Sequence, residues 1–249
     1  VYILRANVIG RGAVGILAGS NLGQIYNCGV HGTVRGNDSF TGGLVGDNSG
    51  IIYESFGVAQ VIGTYNVGGL IGTISSTLFM DTNHDNYFWG TVSGYSNVGG
   101  FIGYNRGYIN NSYTASQVTA DKGILGGFCA SNDPIGFIVS CYWDKEYSGI
   151  DISEGGEGKT TTEMMTETTF SGWDFSSTWM INEGITYPFI QNNNYSYMGD
   201  LRGSNYNTFE TILINLGYFP SSTERCDWTY LSLIHISEPT RLLSISYAV

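Results

Sequence analysis

Positive charge is scarce in this chain. Its 249 residues carry 10 Lys and Arg against 21 Asp and Glu, a formal net charge of −11. Phosphate backbones are bound by clustered cations, so a nucleic-acid surface is excluded. The acidity is read as keeping a glycine-rich β-protein in solution. Histidine is scarce as well: His31, His84 and His235 are the full set, none paired at metal-ligand spacing, and His-Glu-x-x-His is absent. None of the 4 cysteines makes a pair with zinc spacing. No metal and no cofactor is expected. No apolar run reaches the ~18 residues that a membrane-spanning helix needs. Helix formers such as Ala, Lys and Glu are few, which argues against long helices. No secretory leader is visible, and Val8-Ile9-Gly10 before Val14-Gly15 parallels Val61-Ile62-Gly63 before Gly68-Gly69. The chain is therefore expected to open inside a repeat, with an earlier coil cut through.

What is abundant is glycine (36), tyrosine (18), Ser, Thr and Asn, over a hydrophobic fraction of 42% that is ample for a core. The glycines are not scattered. A short phrase recurs as Val14-Gly15-Ile16-Leu17-Ala18, Gly42-Gly43-Leu44-Val45-Gly46, Gly68-Gly69-Leu70-Ile71-Gly72, Gly99-Gly100-Phe101-Ile102-Gly103 and Gly126-Gly127-Phe128-Cys129-Ala130. With Gly15, Gly43, Gly69, Gly100 and Gly127 as anchors, the spacings are 28, 26, 31 and 27. Such a period marks a repeat architecture, in which one unit buries its apolar face only by stacking on the next. Turn chemistry follows most phrases (Ser20 to Gly23, Asp47 to Gly50, Tyr104 to Gly107, Ser131 to Pro134), then an apolar run beginning at Ile25, Ile52, Ile109 or Ile138. A further run closes three repeats at Val34, Val61 and Val118.

Three short strands per repeat suit an all-β fold: a right-handed parallel β-helix, or β-solenoid, of about five coils of ~27 residues. The expectation is that Gly15, Gly43, Gly69, Gly100 and Gly127 stack in one column, that Gly46, Gly72 and Gly103 stack beside them, and that Ile25, Ile52, Ile109 and Ile138 stack inside. The longer third copy places a bulging loop over Ser75 to Asp85. Cys28 and Cys141 fall at the repeat position that Ser55 and Ser112 hold elsewhere, coils apart and beyond disulfide reach, so they read as compact buried residues.

The pattern from Asn7 to Gly149 resembles the GLUG-repeat family of secreted and surface-attached bacterial proteins, named for a Gly-Leu-apolar-Gly motif. Gly43 to Gly46 and Gly69 to Gly72 match it fully, Phe101 replaces the leucine in the fourth copy, and Ala18 and Ala130 stand for the last glycine in the outer ones. The tail resembles the way arrays of this family end: Cys141-Tyr142-Trp143-Asp144, a glycine-rich stretch into Lys159-Thr160, then Trp173-Asp174-Phe175, Trp179 and Gly184 to Pro188. The resemblance implies extracellular or cell-surface modules for adhesion, binding or spacing, sometimes attached to an enzyme such as a metallopeptidase.

Candidate chemistry is sparse. Gly155-Gly156-Glu157-Gly158-Lys159-Thr160 is similar to a phosphate loop but lacks its Gly-x4-Gly-Lys-Thr spacing. Asp81, Asn83, His84, Asp85 and Asn86 form a polar cluster that reads either as a solvated loop or as a metal or sugar site. Asp144, Glu146 and Asp151 read as an exposed edge or as the paired carboxylates of a glycosidase. Asp200 to Leu213 resembles a dockerin-like calcium loop and helix, with Arg202 where a carboxylate ligand should be. Tyrosines on strands are ordinary β material or platforms for sugar rings.

The organisation read from these signals has four parts: repeats over 1–149, a capping module over 150–191, a linker or degenerate dockerin-like tail over 192–230, and 231–249. In the module, Thr160 to Glu163 forms a capping box and a hairpin turns near Asn182-Glu183-Gly184. Its Trp173, Phe175, Trp179 and Phe189 are expected to cover the exposed end of the solenoid. Leu231-Ser232-Leu233-Ile234-His235-Ile236 is what a transposase mosaic end (CTGTCTCTTATACACATCT) encodes, and Ser237 to Arg241 resembles the translated sequencing adapter that follows it. That segment is read as an artefact, to be left out of fold reasoning.

For function the reading is a non-enzymatic extracellular repeat module without catalytic residues, its partner left open, with a glycan or a host or cell-surface protein as the candidates. The alternatives are a polysaccharide lyase or glycosidase of β-helix type, or the non-catalytic repeats of a secreted metallopeptidase. The enzymes gather Asp, Glu, Arg or Lys on one face of adjoining coils. Equivalent positions here hold mostly Gly, Ser, Asn, Tyr and Thr.

Overall fold

Strands of two to nine residues wind the chain into a parallel β-solenoid of five coils, spanning 2–26, 29–53, 56–84, 87–110 and 113–139. The computed structural model describes residues 1–75 and 83–191. Asp81, the 200–213 segment, Cys226 and Leu231–Val249 lie outside them, as does most of the third-copy loop. All described residues fall within one compact unit, Val1–Gly203.

Each coil has four strands, not three. The broad sheet holds Tyr2–Gly10, Gly29–Gly36, Phe56–Ile62, Tyr87–Gly94, Tyr113–Ala120, Tyr142–Asp144 and Glu157–Lys159, in that order. The second sheet stacks Ala13–Val14, Phe40–Gly42, Tyr65–Gly68, Ser96–Gly99 and Leu125–Gly126. The third stacks Ala18–Asn21, Val45–Asn48, Ile71–Ile74, Ile102–Asn105 and Cys129–Asn132; the fourth stacks Gln24–Tyr26, Ile51–Tyr53, Asn83–His84, Tyr108–Asn110 and Phe137–Val139. The extra strand arises because the glycine phrase is a corner rather than a strand. Its first glycine ends the second sheet, and its last apolar residue begins the third.

That corner explains which glycines are needed. At Gly15, Gly42, Gly68, Gly99 and Gly126 an added Cβ would overlap the carbonyl oxygen of the third residue on, from Ala18, Val45, Ile71, Ile102 and Cys129 respectively. The bend is too tight for any side chain. Gly15 therefore belongs to this first column, beside Gly42, and not to the column of Gly43, Gly69, Gly100 and Gly127. Val14 pairs with Thr41 and Ala18 with Val45, and Ile16 N–H donates to Gly43 O at 3.0 Å as Gly43 N–H does to Gly69 O at 2.7 Å. The first copy is thus Gly15-Ile16-Leu17-Ala18-Gly19, with Ile16 where the others have their second glycine and Gly19, not Ala18, at the level of Gly46, Gly72 and Gly103. The inward column opposite reads Ile3, Val30, Gly57, Phe88, Thr114, Trp143. Rings of Phe88 and Trp143 reach over Gly69 and Gly127. At the first coil, where that column is aliphatic, Ile16 supplies the bulk itself.

Leu44, Leu70, Phe101 and Phe128 point inward at the corner and are fully buried, with Phe101 stacked on Phe128 at 4.7 Å. Burying each such side chain contributes about 1.5–3 kcal/mol.

Where the third sheet turns into the fourth, Asn21, Asn48, Asn105 and Asn132 stack as a polar ladder. Asn48 uses its whole hydrogen-bonding capacity. It accepts from Asn21 Nδ2 (2.7 Å) and Gly50 N–H (3.3 Å), and donates to Gly50 O (3.2 Å) and Asn83 Oδ1 (2.8 Å). Asn105 donates likewise to Asn132 at 2.8 Å. The third coil breaks and repairs this ladder. Ile74 stands at the asparagine level, paired with Asn48 and Asn105, while Asn83 stands at the isoleucine level between Ile52 and Ile109. Ile25, Ile52, Ile109 and Ile138 are consequently not continuous, since an asparagine occupies their third place. Both exchanged residues are about 1% exposed. Asn83 passes the ladder on by donating to Tyr108 O at 3.1 Å.

The corner from the fourth sheet back to the broad sheet repeats a left-handed residue five times: Asn27 (φ 49°), Glu54 (47°), Asp85 (54°), Asn111 (45°) and Ser140 (49°). After it come Cys28, Ser55, Asn86, Ser112 and Cys141, all buried. Ser55 and Ser112 donate to the carbonyl two residues back at 2.9 and 2.8 Å, as the thiols of Cys28 and Cys141 do at 3.3 and 3.2 Å. A buried donor stands at this place in every coil, Asn86 donating to Ile52 O at 2.9 Å, and the thiols fill it as free cysteines.

The end of the solenoid is closed by the stretch after Gly149. Gly127 N–H donates to Ile152 O, Glu154 N–H to Cys129 O, and Glu157–Lys159 adds the last strand to the broad sheet. Gly155, Gly156 and Gly158 run against Ile138, Phe128 and Trp143, where a Cβ would come within 2.7, 3.2 and 2.8 Å. The glycine-rich segment is a lid on the core. The expected cover residues do not provide it: Trp173 and Trp179 pack instead on Tyr87, Tyr113 and Tyr142 of the broad sheet, Phe175 meets Phe170, and Phe189 pairs beside Met180 in the same segment.

Candidate functional site

Two outward aromatic columns run along the solenoid, and they were not separated in the sequence reading. On the broad sheet, Phe56, Tyr87 and Tyr113 alternate outward with inward Gly57, Phe88 and Thr114. Their rings stack at 4.9 and 5.5 Å. Tyr142 continues the same register. Residues 160–190 fold over this face as a clasp. Thr160 accepts from Glu163 N–H, and the Glu163 carboxylate accepts from Thr160 N–H at 2.8 Å, the capping box expected of the sequence. Trp179–Met180 and Phe189–Ile190 pair antiparallel as the arms of the hairpin. Trp173, Trp179 and Phe189 are buried, Phe175 half-buried.

Polar tips fix the clasp to successive coils. Trp179 Nε1 donates to Asp85 Oδ1 at 2.8 Å, the Tyr113 hydroxyl to Pro188 O at 2.6 Å, Trp173 Nε1 to Ser140 O at 3.0 Å, and the Tyr187 hydroxyl to Asp144 Oδ2 at 2.6 Å. Trp89 Nε1 donates to the Tyr113 oxygen at 2.9 Å. Burial raises the pKa of Tyr113 and Tyr187, and for Tyr187 the neighbouring Asp144 adds to it. Their hydroxyls stay protonated as donors. The sequence reading missed Phe170, Tyr187 and the tyrosine column beneath; the recurrence of Tyr87, Tyr113 and Tyr142 at the repeat period was the available signal.

On the fourth sheet, Tyr26, Tyr53 and His84 occupy one register and stack at 4.5 and 5.2 Å with interplanar angles near 20° (22° and 21°). Tyr108 and Phe137 form a looser pair at 6.3 Å. Tyr26, Phe137 and Val139 are 48%, 49% and 44% exposed. The ring faces of Tyr26 and Tyr53 are turned on one another. A sugar stacks on a free face, so this column offers ring edges and hydroxyls rather than a row of platforms.

The proposed chemical clusters disperse. Asn83 and Asn86 point inward, His84 stacks outward on Tyr53, and Asp85 holds the corner and the clasp. Among the described residues no group of three or more His, Cys, Asp or Glu converges to hold a metal ion. Asp144 is fully buried, caps the Lys145–Ser148 turn through the Tyr147 N–H (2.8 Å), and accepts from Tyr187 on its other oxygen. Glu146 accepts the Thr161 N–H at 2.9 Å, while Asp151 is exposed. In the phosphate-loop-like stretch, Lys159 Nζ pairs with Glu157 at 2.6 Å and lies 5.7 Å from the centre of the Tyr142 ring. No helix among the described residues is long and apolar enough to cross a membrane.

The chain is 35% identical over 98 residues to a protein of Evansella cellulosilytica described as a putative Gly-rich membrane protein, over 36% of this chain and 11% of that protein. The chain thus spans about a tenth of that relative's length. No family model matches. No solved structure matches either.

Proposed function

We propose that this chain is a non-enzymatic repeat module in the extracellular or surface-attached part of a larger protein, of the GLUG-repeat kind, and that it serves as a spacer. The observation that carries this reading is the parallel stacking of five coils through four continuous sheets, laterally clasped over the later coils. A parallel solenoid transmits load through many backbone hydrogen bonds at once. The carboxylates read as a glycosidase pair cap backbone N–H groups, which supports a structural role for them. The relative named as a Gly-rich membrane protein is in keeping with surface attachment.

The spacer reading is tested on the full chain in two ways. Single-molecule pulling is expected to give stepwise extension in coil-sized increments with the last coils yielding after the first. Incubation with glycan and peptide substrates is expected to give no turnover; cleavage that disappears in Asp144→Asn would overturn the reading in favour of the glycosidase alternative. Capture of a defined glycan, abolished by Tyr26→Ala, would instead favour adhesion over spacing.

A further inference from the structure

Glu54 and Asp85 occupy the same left-handed corner in adjacent coils, the second and third, in register through Tyr53 and His84. Glu54 N–H bonds to His84 O at 3.3 Å across the corner. The other members of this corner column, Asn27, Asn111 and Ser140, are neutral. Two carboxylates thus follow one another where the remaining corners carry no charge. Asp85 is fully engaged, with His84 Nδ1 at 2.7 Å on Oδ2 and the Trp179 indole at 2.8 Å on Oδ1. Glu54 is not: its Oε2 is buried without a hydrogen-bond partner.

We infer that the Glu54–Asp85 corner is an acid-tightened joint, in which a proton taken up by Glu54 removes the repulsion on Asp85 and strengthens the hold of Asp85 on Trp179 of the clasp. The groups facing this corner fit the inference. On the corner itself stand Glu54, His84 and Asp85; from the later coil comes the Cys141 thiol, pushed up chiefly by burial and slightly by Asp85. The clasp contributes the neutral Trp179 indole. Burial raises the Glu54 pKa first, Asp85 raises it further, and His84 opposes. The sign follows. A carboxyl whose pKa is raised on folding binds its proton more tightly in the folded chain. Its contribution is complete below the unfolded glutamate value and is lost as pH rises through the folded one. The joint therefore tightens as pH falls towards the ordinary glutamate range and relaxes as pH rises away from it.

Thermal unfolding of the full chain between about pH 7.5 and about pH 5 tests this. The wild-type midpoint is expected to rise by about 2 °C on acidification. In Glu54→Gln the rise should vanish, while in His84→Asn it should persist. That pairing supports the joint, and any other pairing overturns it; a rise kept in Glu54→Gln but lost in His84→Asn would assign the switch to the imidazole. The Trp179 indole N–H resonance, assigned by loss in Trp179→Phe, gives a second readout. It should move with an inflection above the ordinary glutamate range in the wild type and stay still in Glu54→Gln. An indole that does not move in the wild type overturns the proposal.

Discussion

Two aromatic columns built by the same repeat have opposite fates. Phe56, Tyr87, Tyr113 and Tyr142 on the broad sheet are buried beneath the clasp or packed against one another, and Tyr113 spends its hydroxyl on both Trp89 and Pro188. Tyr26, Tyr53 and His84 on the fourth sheet stack as closely, but stay half-buried or exposed. Stacking follows from the coil rise alone, whereas burial depends on a segment that does not repeat. A column of tyrosines in a solenoid therefore says where rings align, and only the irregular part of the chain says which column is core.

The strongest way to break both columns at once is at their shared frame. Gly68→Val places a side chain into the Ile71 carbonyl, a backbone overlap that no rotamer relieves. A loss of at least about 4 kcal/mol is expected, seen as absence of cooperative unfolding. Gly23→Ala, where an added Cβ meets nothing within 4 Å, should change the midpoint little. Next comes the buried column. Tyr113→Ala should cost about 3–5 kcal/mol in denaturant unfolding, and Tyr113→Phe, which keeps the ring but strands Trp89 and Pro188, about 1–3 kcal/mol. Equal losses for the two would mean that the hydroxyl, not the ring, holds the clasp.

The corner that carries the open column is tested through its exchanged pair. Asn83→Ile leaves buried Asn48 short of an acceptor and should cost about 1–3 kcal/mol. Adding Ile74→Asn restores the order of the other coils and should recover at least part of that loss, a coupling measurable in a double-mutant cycle. Strictly additive losses would refute the exchange. The smallest effect belongs to the open column itself: Tyr53→Ala should cost no more than about 1 kcal/mol, the scale of one cross-strand pair. A loss as large as that of Tyr113→Ala would erase the distinction between the columns.

How far the sequence could be read follows the same division. Gly43, Gly69, Gly100 and Gly127 announced their stacking because the same steric need recurs in each coil, and the β-solenoid of about five coils followed. The first copy was misaligned by one residue because Ile16 replaces a glycine. The interval from Asn21 to Asn48 held the correction, since the buried asparagine ladder keeps its own period. Those asparagines read as turn residues, and their stacking inside the corner was overlooked. The exchange of Ile74 and Asn83 was illegible, because each violates its column and only the pair restores packing and polarity together. Among candidate site residues, Trp173, Trp179 and Phe189 were recognisable as buried aromatics. Their place on the broad sheet was not, because contacts such as Trp179 with Asp85 join residues far apart in sequence without any periodic cue.

The repaired third corner also defines a point of entry for foreign sequence. Ile74 and Asn83 stand nine positions apart, where Asn48 and Ile52 stand four apart, and both are clamped in the interior. Whatever is written between them begins and ends on fixed posts, with the strand register on either side already secured by Val45, Ile71 and Ile102 in one sheet and by Ile52 and Ile109 in the other. A peptide grafted there would be displayed at a known height along the rod, beside Tyr53 and His84, and several could be set at chosen intervals by repeating the same two-residue exchange in other coils. The array is in this sense a graduated scaffold, whose ticks are its coils and whose altered third tick shows how a label can be attached without bending the rule.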